Sequence, residues 1–237
     1  MLILCDSKMP SAAKAGLAMY GEVVEFATEG ITYDAISGHP DIFFCKTPGG
    51  LVVAPNLPEN YFTILDQNAI TYTKGSLPVG KKYPLSARYN TLVTEKYIIQ
   101  NPEIADPFIA ELNPAHTIIP VKQGYVQCNL LALPNDTFIT SDRGIEKSLK
   151  QHDIEVLFVD PSCIKLDGFE HGFFGGACGL IGNKLFVCGS IQHFKDQALI
   201  ESFAEQAGVS IVGLHHGKPK DVGTIIFLFT GHEISYP

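Results

Sequence analysis

The chain has no tryptophan, only three methionines and few basic residues: 17 Lys and Arg stand against 25 Asp and Glu over 237 residues, for a net charge of -8. That shortage of positive charge argues against a nucleic-acid partner, because neutralising phosphates takes clustered Lys and Arg. No apolar run approaches the roughly 20 residues of a membrane span, so no membrane partner is expected. The opening Met1 to Cys5 is too short for a secretory signal. Six cysteines without an export signal then read as reduced thiols in a cytoplasmic protein. No spacing resembles a CxxC or HExxH site, and adjacent His215 and His216 point opposite ways in a strand. No metal and no cofactor are expected. No segment is low in complexity, and the length suffices for one sizeable core.

What is present is a repeat. Leu2-Ile3-Leu4-Cys5-Asp6-Ser7 and Leu185-Phe186-Val187-Cys188-Gly189-Ser190 are nearly one string. Leu51 to Asn56, Tyr97 to Asn101 and Phe138 to Asp142 read the same way. Their starts lie about 40 to 50 residues apart, a period that implies a ring or solenoid. Each copy leads into a helical stretch (11–20, 58–68, 102–112, 143–151 and 194–207) and then a second apolar run such as Val209 to Leu214. Each copy but the first follows an apolar run and a turn; Pro48-Gly49-Gly50, Asn135-Asp136 and Gly182-Asn183 are hairpin signals. The unit is strand, turn, strand, helix, strand.

The two ends complete the count. Gly223 to Phe229 reads as a first strand with no second after it, and Leu2 to Cys5 as a second strand with no first before it. Pairing them closes an α/β ring of five units without a free sheet edge at the seam. We expect one domain over 1–237, its last unit built from 215–237 plus 1–27. The lysine-, glycine- and proline-rich stretch 75–87 reads as a surface loop over one face.

In such a ring the segments leading into the first strands open onto one face near the axis. They carry His39 and Asp41, then Arg88 and Asn90, then Gln127, Cys128 and Asn129, then Asp167, Glu170, His171 and Cys178, and last Asp221 and Thr224. Polar groups beside inner strands must be paired, hydrated or used. The densest segment runs from Leu166 to Gly179 and combines carboxylates, a histidine, a thiol and glycines. A His beside a carboxylate serves as acid or base, and a thiol near a His serves as nucleophile. The bland readings are a His171 that hydrogen-bonds its own loop and an Asp41 that forms a turn after His39-Pro40. Cys5, Cys45, Cys128 and Cys188 read as buried core thiols.

The five-unit pattern resembles the pentein fold, the five-fold pseudosymmetric α/β propeller shared by guanidino-group-modifying enzymes and the ribosomal-subunit anti-association factor family. His171 followed by small residues and a hairpin ending in Leu185 to Ser190 is similar to the catalytic-His region of dimethylarginine hydrolases. The resemblance implies an acidic substrate-binding residue at Asp41 and a nucleophile on the first strand of the fifth unit, where Thr224 stands. A threonine lacks the acidity of a thiol.

The expected activity is therefore a hydrolase or transferase acting on a guanidino-like carbon, with Cys178 as nucleophile, His171 as proton shuttle and Glu170 as its orienting group. Asp41, His39, Arg88, Asn90, Asn129, Asp167 and Thr224 would bind the substrate. The partner would be a small molecule in the central channel, with a homodimer left open. The alternative is a non-catalytic pentein that binds a ligand or protein.

Overall fold

The computed structural model describes residues 1–230, so the part of the expected last unit over 231–237 lies outside the described residues. The described residues form five three-stranded sheets. Following the chain, the strands are β1 (Leu2–Asp6) and β2 (Glu22–Phe26); β3 (Phe44–Thr47), β4 (Gly50–Val53) and β5 (Tyr72–Lys74); β6 (Leu92–Val93), β7 (Tyr97–Gln100) and β8 (Thr117–Pro120); β9 (Leu130–Leu133), β10 (Thr137–Thr140) and β11 (Val156–Phe158); β12 (Cys178–Ile181), β13 (Lys184–Val187) and β14 (Ser210–Gly213); and β15 (Ile226–Leu228). In each sheet the first strand is antiparallel to the second and the second parallel to the third. The fifth sheet joins both ends of the chain: Leu228, Phe227 and Ile226 of β15 lie opposite Leu2, Ile3 and Leu4 of β1. First strands pack side by side, β3 with β6, β9 with β12 and β12 with β15.

The burial pattern explains why the middle strands were the legible ones. All of β1 and the apolar positions of β4, β7, β10 and β13 are buried, since each lies between two strands and under a helix. The third strands β2, β8 and β14 are partly exposed. The hairpins turn where a left-handed residue is tolerated, at Asn135 (φ 62°) and Gly182 (φ 53°). Fully buried Phe26, Phe43, Phe44, Phe138, Phe174, Phe186 and Phe227 supply most of the bulk that takes the place of tryptophan. Burying each contributes on the order of 2 kcal/mol.

The helices sit where expected but shorter. They span Ser11–Leu17, Glu59–Gln67, Pro107–Glu111, Arg143–Lys150 and Gln197–Gln206. The third starts late because Asn101 forms its own turn, its side chain accepting from Glu103 N (3.1 Å), and Asp106 then caps the helix by accepting from Phe108 N (3.0 Å). Among the described residues no helix is long and apolar enough to cross a membrane. The 75–87 stretch is anchored: Asp106 Oδ2 accepts from Ser76 N (2.9 Å) and Leu77 N (2.7 Å), and Val79 N donates to Asn56 Oδ1 (2.8 Å).

One departure matters for the site. The segment expected to begin the first strand of the third unit at Cys128 instead makes a single helical turn, Val126–Asn129, before β9. That turn carries the Cys128 thiol to the ends of the neighbouring units.

Candidate functional site

Each first strand begins at the same end of the fold, and the five leading segments meet there. Asp41, fully buried on the short turn Pro40–Ile42, lies at the middle of a hydrogen-bonded group. Its Oδ2 accepts from Thr224 Oγ1 (2.8 Å) and from the thiol of Cys128 (2.9 Å). Asn90 Nδ2 donates to the Asp41 carbonyl (3.2 Å) and to Cys128 Sγ (3.1 Å), while its Oδ1 accepts from Cys128 N (3.0 Å). Thr224 Oγ1 also lies 3.2 Å from the Gly175 carbonyl. Segments of all five units thus hold one carboxylate and one thiol.

Beside them is His39, 1% exposed. Its Nε2 is 3.7 Å from Asp6 Oδ2 and its Nδ1 3.8 Å from Asp221 Oδ1, both too long for hydrogen bonds. Neither ring nitrogen has a hydrogen-bond partner, and neither does Asp41 Oδ1. Burial pushes the imidazole down to about 3, so His39 is neutral and its contacts with the two aspartates are not ion pairs. Asp221 is held by Phe173 N (2.9 Å) and Gly223 N (3.1 Å).

The electrostatics are those of a site short of positive charge. Asp6, Asp41 and Asp221 are all at most 2% exposed. Burial raises Asp41 to about 6 against the opposing hydrogen bonds of Cys128, Thr224 and Asn90. Burial, and then the charge of Asp41, raises Asp221 to about 7. Cys128 is raised well above the ordinary thiol range, by burial first and the Asp41 charge second. Among the described residues no Lys or Arg pairs with Asp41 or Asp221.

The backbone is shaped for this group. A Cβ at Gly223 (φ 65°) would stand 2.1 Å from His39 Cβ, and one at Gly176 would stand 2.2 Å from Asp221 Oδ1. Thr224 itself has φ 61°, an outlying conformation for a β-branched residue. Strain of this kind persists only where the surroundings enforce it, and it collects at functional sites.

Two cavities approach the group. A largely apolar one of about 440 Å³ opens among the hairpins of the first strands and reaches Gln127, Gly175 and Thr224. A smaller one of about 200 Å³ at the leading end is lined by Asp6, Lys8, Asp34, Asp167, Lys220 and Asp221.

Of the residues the sequence suggested, Asp41, His39, Asn90 and Thr224 come together here. Asn129 is buried next door, its amide tied to Tyr125 O (2.8 Å) and Ser141 Oγ (3.1 Å). Asp167 pairs at the rim with Lys220 (3.3 Å). Arg88 turns away to the Pro78 carbonyl.

The expected His171, Glu170 and Cys178 trio does not assemble among the contacts of the structure. His171 Nδ1 lies 2.9 Å from the Gly172 carbonyl and its ring meets Phe173 edge-on at 6.1 Å. Glu170 is exposed. Cys178, on β12, points into the core with Phe174, Ala177 and Val187. Its thiol is raised well above the ordinary range by burial.

Sequence reasoning read Cys128 as core and gave Asp221 no role, although both stood at leading positions. Asp6 carried a weaker signal, as the one charged residue closing an otherwise apolar middle strand.

The fold has known counterparts. DDAH from Pseudomonas aeruginosa, in complex with citrulline, aligns with TM-score 0.52 and 9% identity over 87% of this chain and 81% of its own. C. jejuni agmatine deiminase aligns with TM-score 0.50 and 13% identity over 82% of this chain and 69% of its own. Both are members of the pentein superfamily, and this chain has the pentein fold. It belongs to the Family of unknown function (DUF6873), whose profile matches residues 4–226. No curated protein matches the sequence.

Proposed function

We propose that this protein is a pentein enzyme that takes a cationic guanidino-like group into the Asp41–Cys128–His39 site and breaks a C–N bond with the Cys128 thiol. The observation that carries this reading is the set of buried carboxylates, Asp6, Asp41 and Asp221, around a neutral His39, with no Lys or Arg among the described residues paired to Asp41 or Asp221. Buried charge without a partner is costly, so the site favours a small planar cation that supplies one. The fold it shares with DDAH and agmatine deiminase adds support at the level of architecture.

The thiol is protonated at rest and already donates to Asp41 Oδ2 at 2.9 Å. A bound cation lowers the thiol pKa, because a neighbouring positive charge favours the thiolate. The proton then passes to Asp41, Sγ adds to the central carbon, and the C–N bond breaks as the departing amine takes up a proton. A water molecule then cleaves the C–S bond, returning a proton to sulfur and releasing the carbonyl product. Thr224 and Asn90 hold the carboxylate and the sulfur in place throughout.

The five sheets are read as a closed five-fold propeller and 1–237 as one domain, supported by the β15–β1 pairing. The test is turnover of agmatine, arginine and an N-methylated arginine, measured as amine or ammonia release in chelator. Cys128→Ser and Asp41→Asn should each lower kcat by about 100-fold or more. Binding of none of these cations by the folded protein would overturn the reading. The high resting pKa of Cys128 favours one second reading, binding without turnover, which shows as saturable binding of a guanidinium compound with no product.

A further inference from the structure

The trio at the middle of the site is also a set of metal donors that the sequence spacing did not announce. His39, Asp41 and Cys128 come from two units, 87 positions separating the thiol from the carboxylate. One nitrogen, one carboxylate oxygen and one sulfur from them lie within 4.8 Å of one another. Two facts point to a ligand beyond mere proximity. Both His39 nitrogens are buried without a hydrogen-bond partner, and so is Asp41 Oδ1. A buried imidazole whose ring nitrogens have no hydrogen-bond partner is available as a ligand, and imidazole is the commonest protein ligand for a borderline-soft divalent ion.

We infer that His39, Asp41 and Cys128 form a binding site for a divalent ion of the Zn²⁺ class, with the metal replacing the thiol proton. The donor set is the nitrogen, oxygen and sulfur mixture that suits Zn²⁺ and disfavours Mg²⁺ or Ca²⁺. The charge balances: the Cys128 S–H bond breaks, its proton leaves to solvent, a sulfur–metal bond forms, and thiolate plus carboxylate together match two positive charges. Asn90 supplies the outer support, since its amide already holds both the sulfur and the Cys128 backbone. Three protein donors leave one tetrahedral position open. The 440 Å³ cavity reaches Thr224, whose hydroxyl donates to Asp41 at 2.8 Å, so it stops one side chain short of the donors.

The site shares residues with the proposed thiol chemistry but does not depend on it. A metal on Cys128 takes the sulfur away from a guanidino substrate, so ion and substrate compete.

The experiment is a titration of the full chain, first stripped with chelator, with Co²⁺ and then Zn²⁺. The expected result is one Co²⁺ per chain, with tetrahedral visible bands and a sulfur-to-cobalt charge-transfer band, displaced by one equivalent of Zn²⁺. The charge-transfer band disappears in Cys128→Ser and persists in Cys163→Ser, whose thiol is half-buried elsewhere. His39→Gln binds at least about tenfold more weakly, since even outer partners are worth roughly 10 to 100-fold. If Cys128→Ser fails to fold, peptide mapping of slow alkylation in the unaltered chain replaces it, with Zn²⁺ expected to protect Cys128.

A folded chain with no charge-transfer band, a band that survives Cys128→Ser, or Zn²⁺ that leaves Cys128 alkylation unchanged each overturns the metal site. None of these results bears on turnover in chelator, so the two readings fail separately.

Discussion

Asp106 and Asp41 are both fully buried carboxylates at the leading ends of neighbouring units, yet they sit in opposite surroundings. Asp106 accepts from Phe108 N, Ser76 N, Leu77 N, Ser76 Oγ and Tyr89 Oη, which saturates both of its oxygens with local donors. Asp41 has only the Thr224 hydroxyl and the Cys128 thiol on one oxygen and nothing on the other. Sequence cannot tell these two aspartates apart by type or by burial. Their hydrogen-bond ledgers can: one carboxylate holds a loop and a helix start in place, and the other is left short of partners in the middle of a site.

The largest test of that contrast is replacement. Asp106→Ala strands at least three backbone and hydroxyl donors, each costing about 1 to 3 kcal/mol when left unpaired. A loss of roughly 3 to 5 kcal/mol is expected, read as a lower urea midpoint at unchanged slope. Asp41→Asn keeps an acceptor for Thr224 and Cys128 while removing a buried charge, so it should leave stability at pH 8 unchanged or raised and should weaken cation binding. Equal destabilisation by the two substitutions would erase the distinction between anchor and site.

Next in size is Gly223→Ala. Its Cβ would collide with His39 Cβ at 2.1 Å, and its φ of 65° strains any L residue. A cost of about 2 kcal/mol or more is expected, with ligand binding lost ahead of the fold. Gly208→Ala is the control, at φ 74° with nothing within 4 Å of the new Cβ; it should cost about 1 kcal/mol of backbone strain and leave binding intact. Similar binding defects in both would mean that Gly223 matters only for its backbone and not for its approach to His39.

The same contrast explains what the sequence could convey. The middle strands β1, β4, β7, β10 and β13 announce themselves because a strand buried on both faces reads as a continuous apolar run, and the near-identity of the segments ending in Cys5 and Cys188 gives the repeat its period. The pairing of the two chain ends followed from counting strands. Asp41, Asn90 and Thr224 were legible because the repeat register puts all leading positions at one end.

Cys128 was not given a role because its helical turn, Val126–Asn129, breaks the register that made it look like a strand residue. His171 and Cys178 stay apart for the converse reason. Closeness along the chain suggests a dyad, but a strand start sends the Cys178 side chain into the core while His171 stays half-buried against its own loop. The candidate site in this chain is assembled across units, over separations such as the 183 positions between Asp41 and Thr224, and not within one segment.

The pH dependence is the most diagnostic effect, because its sign is unusual. Asp41, raised to about 6, and Asp221, raised to about 7, keep protons in the folded state that the unfolded chain releases near 3.8. Each therefore makes the fold less stable as pH rises from about 4 towards its own folded value. His39 acts the other way: held neutral down to about 3, it stays unprotonated while the unfolded imidazole takes a proton below 6.5, so its contribution rises with pH between those values. Asp41 and Asp221 falling against His39 rising leave a net decline of about one proton's worth, near 1.4 kcal/mol per pH unit, between about pH 4 and pH 6, and Asp6, raised by burial as well, adds to it.

Urea midpoints measured in chelator at the two ends of that window, with each variant referred to the unaltered chain, isolate the cluster from the other carboxylates. Asp41→Asn should flatten the difference and His39→Gln should steepen the decline. If His39→Gln instead flattens it, the histidine is charged in the fold and paired with Asp6 and Asp221, and the site is not short of a cation after all.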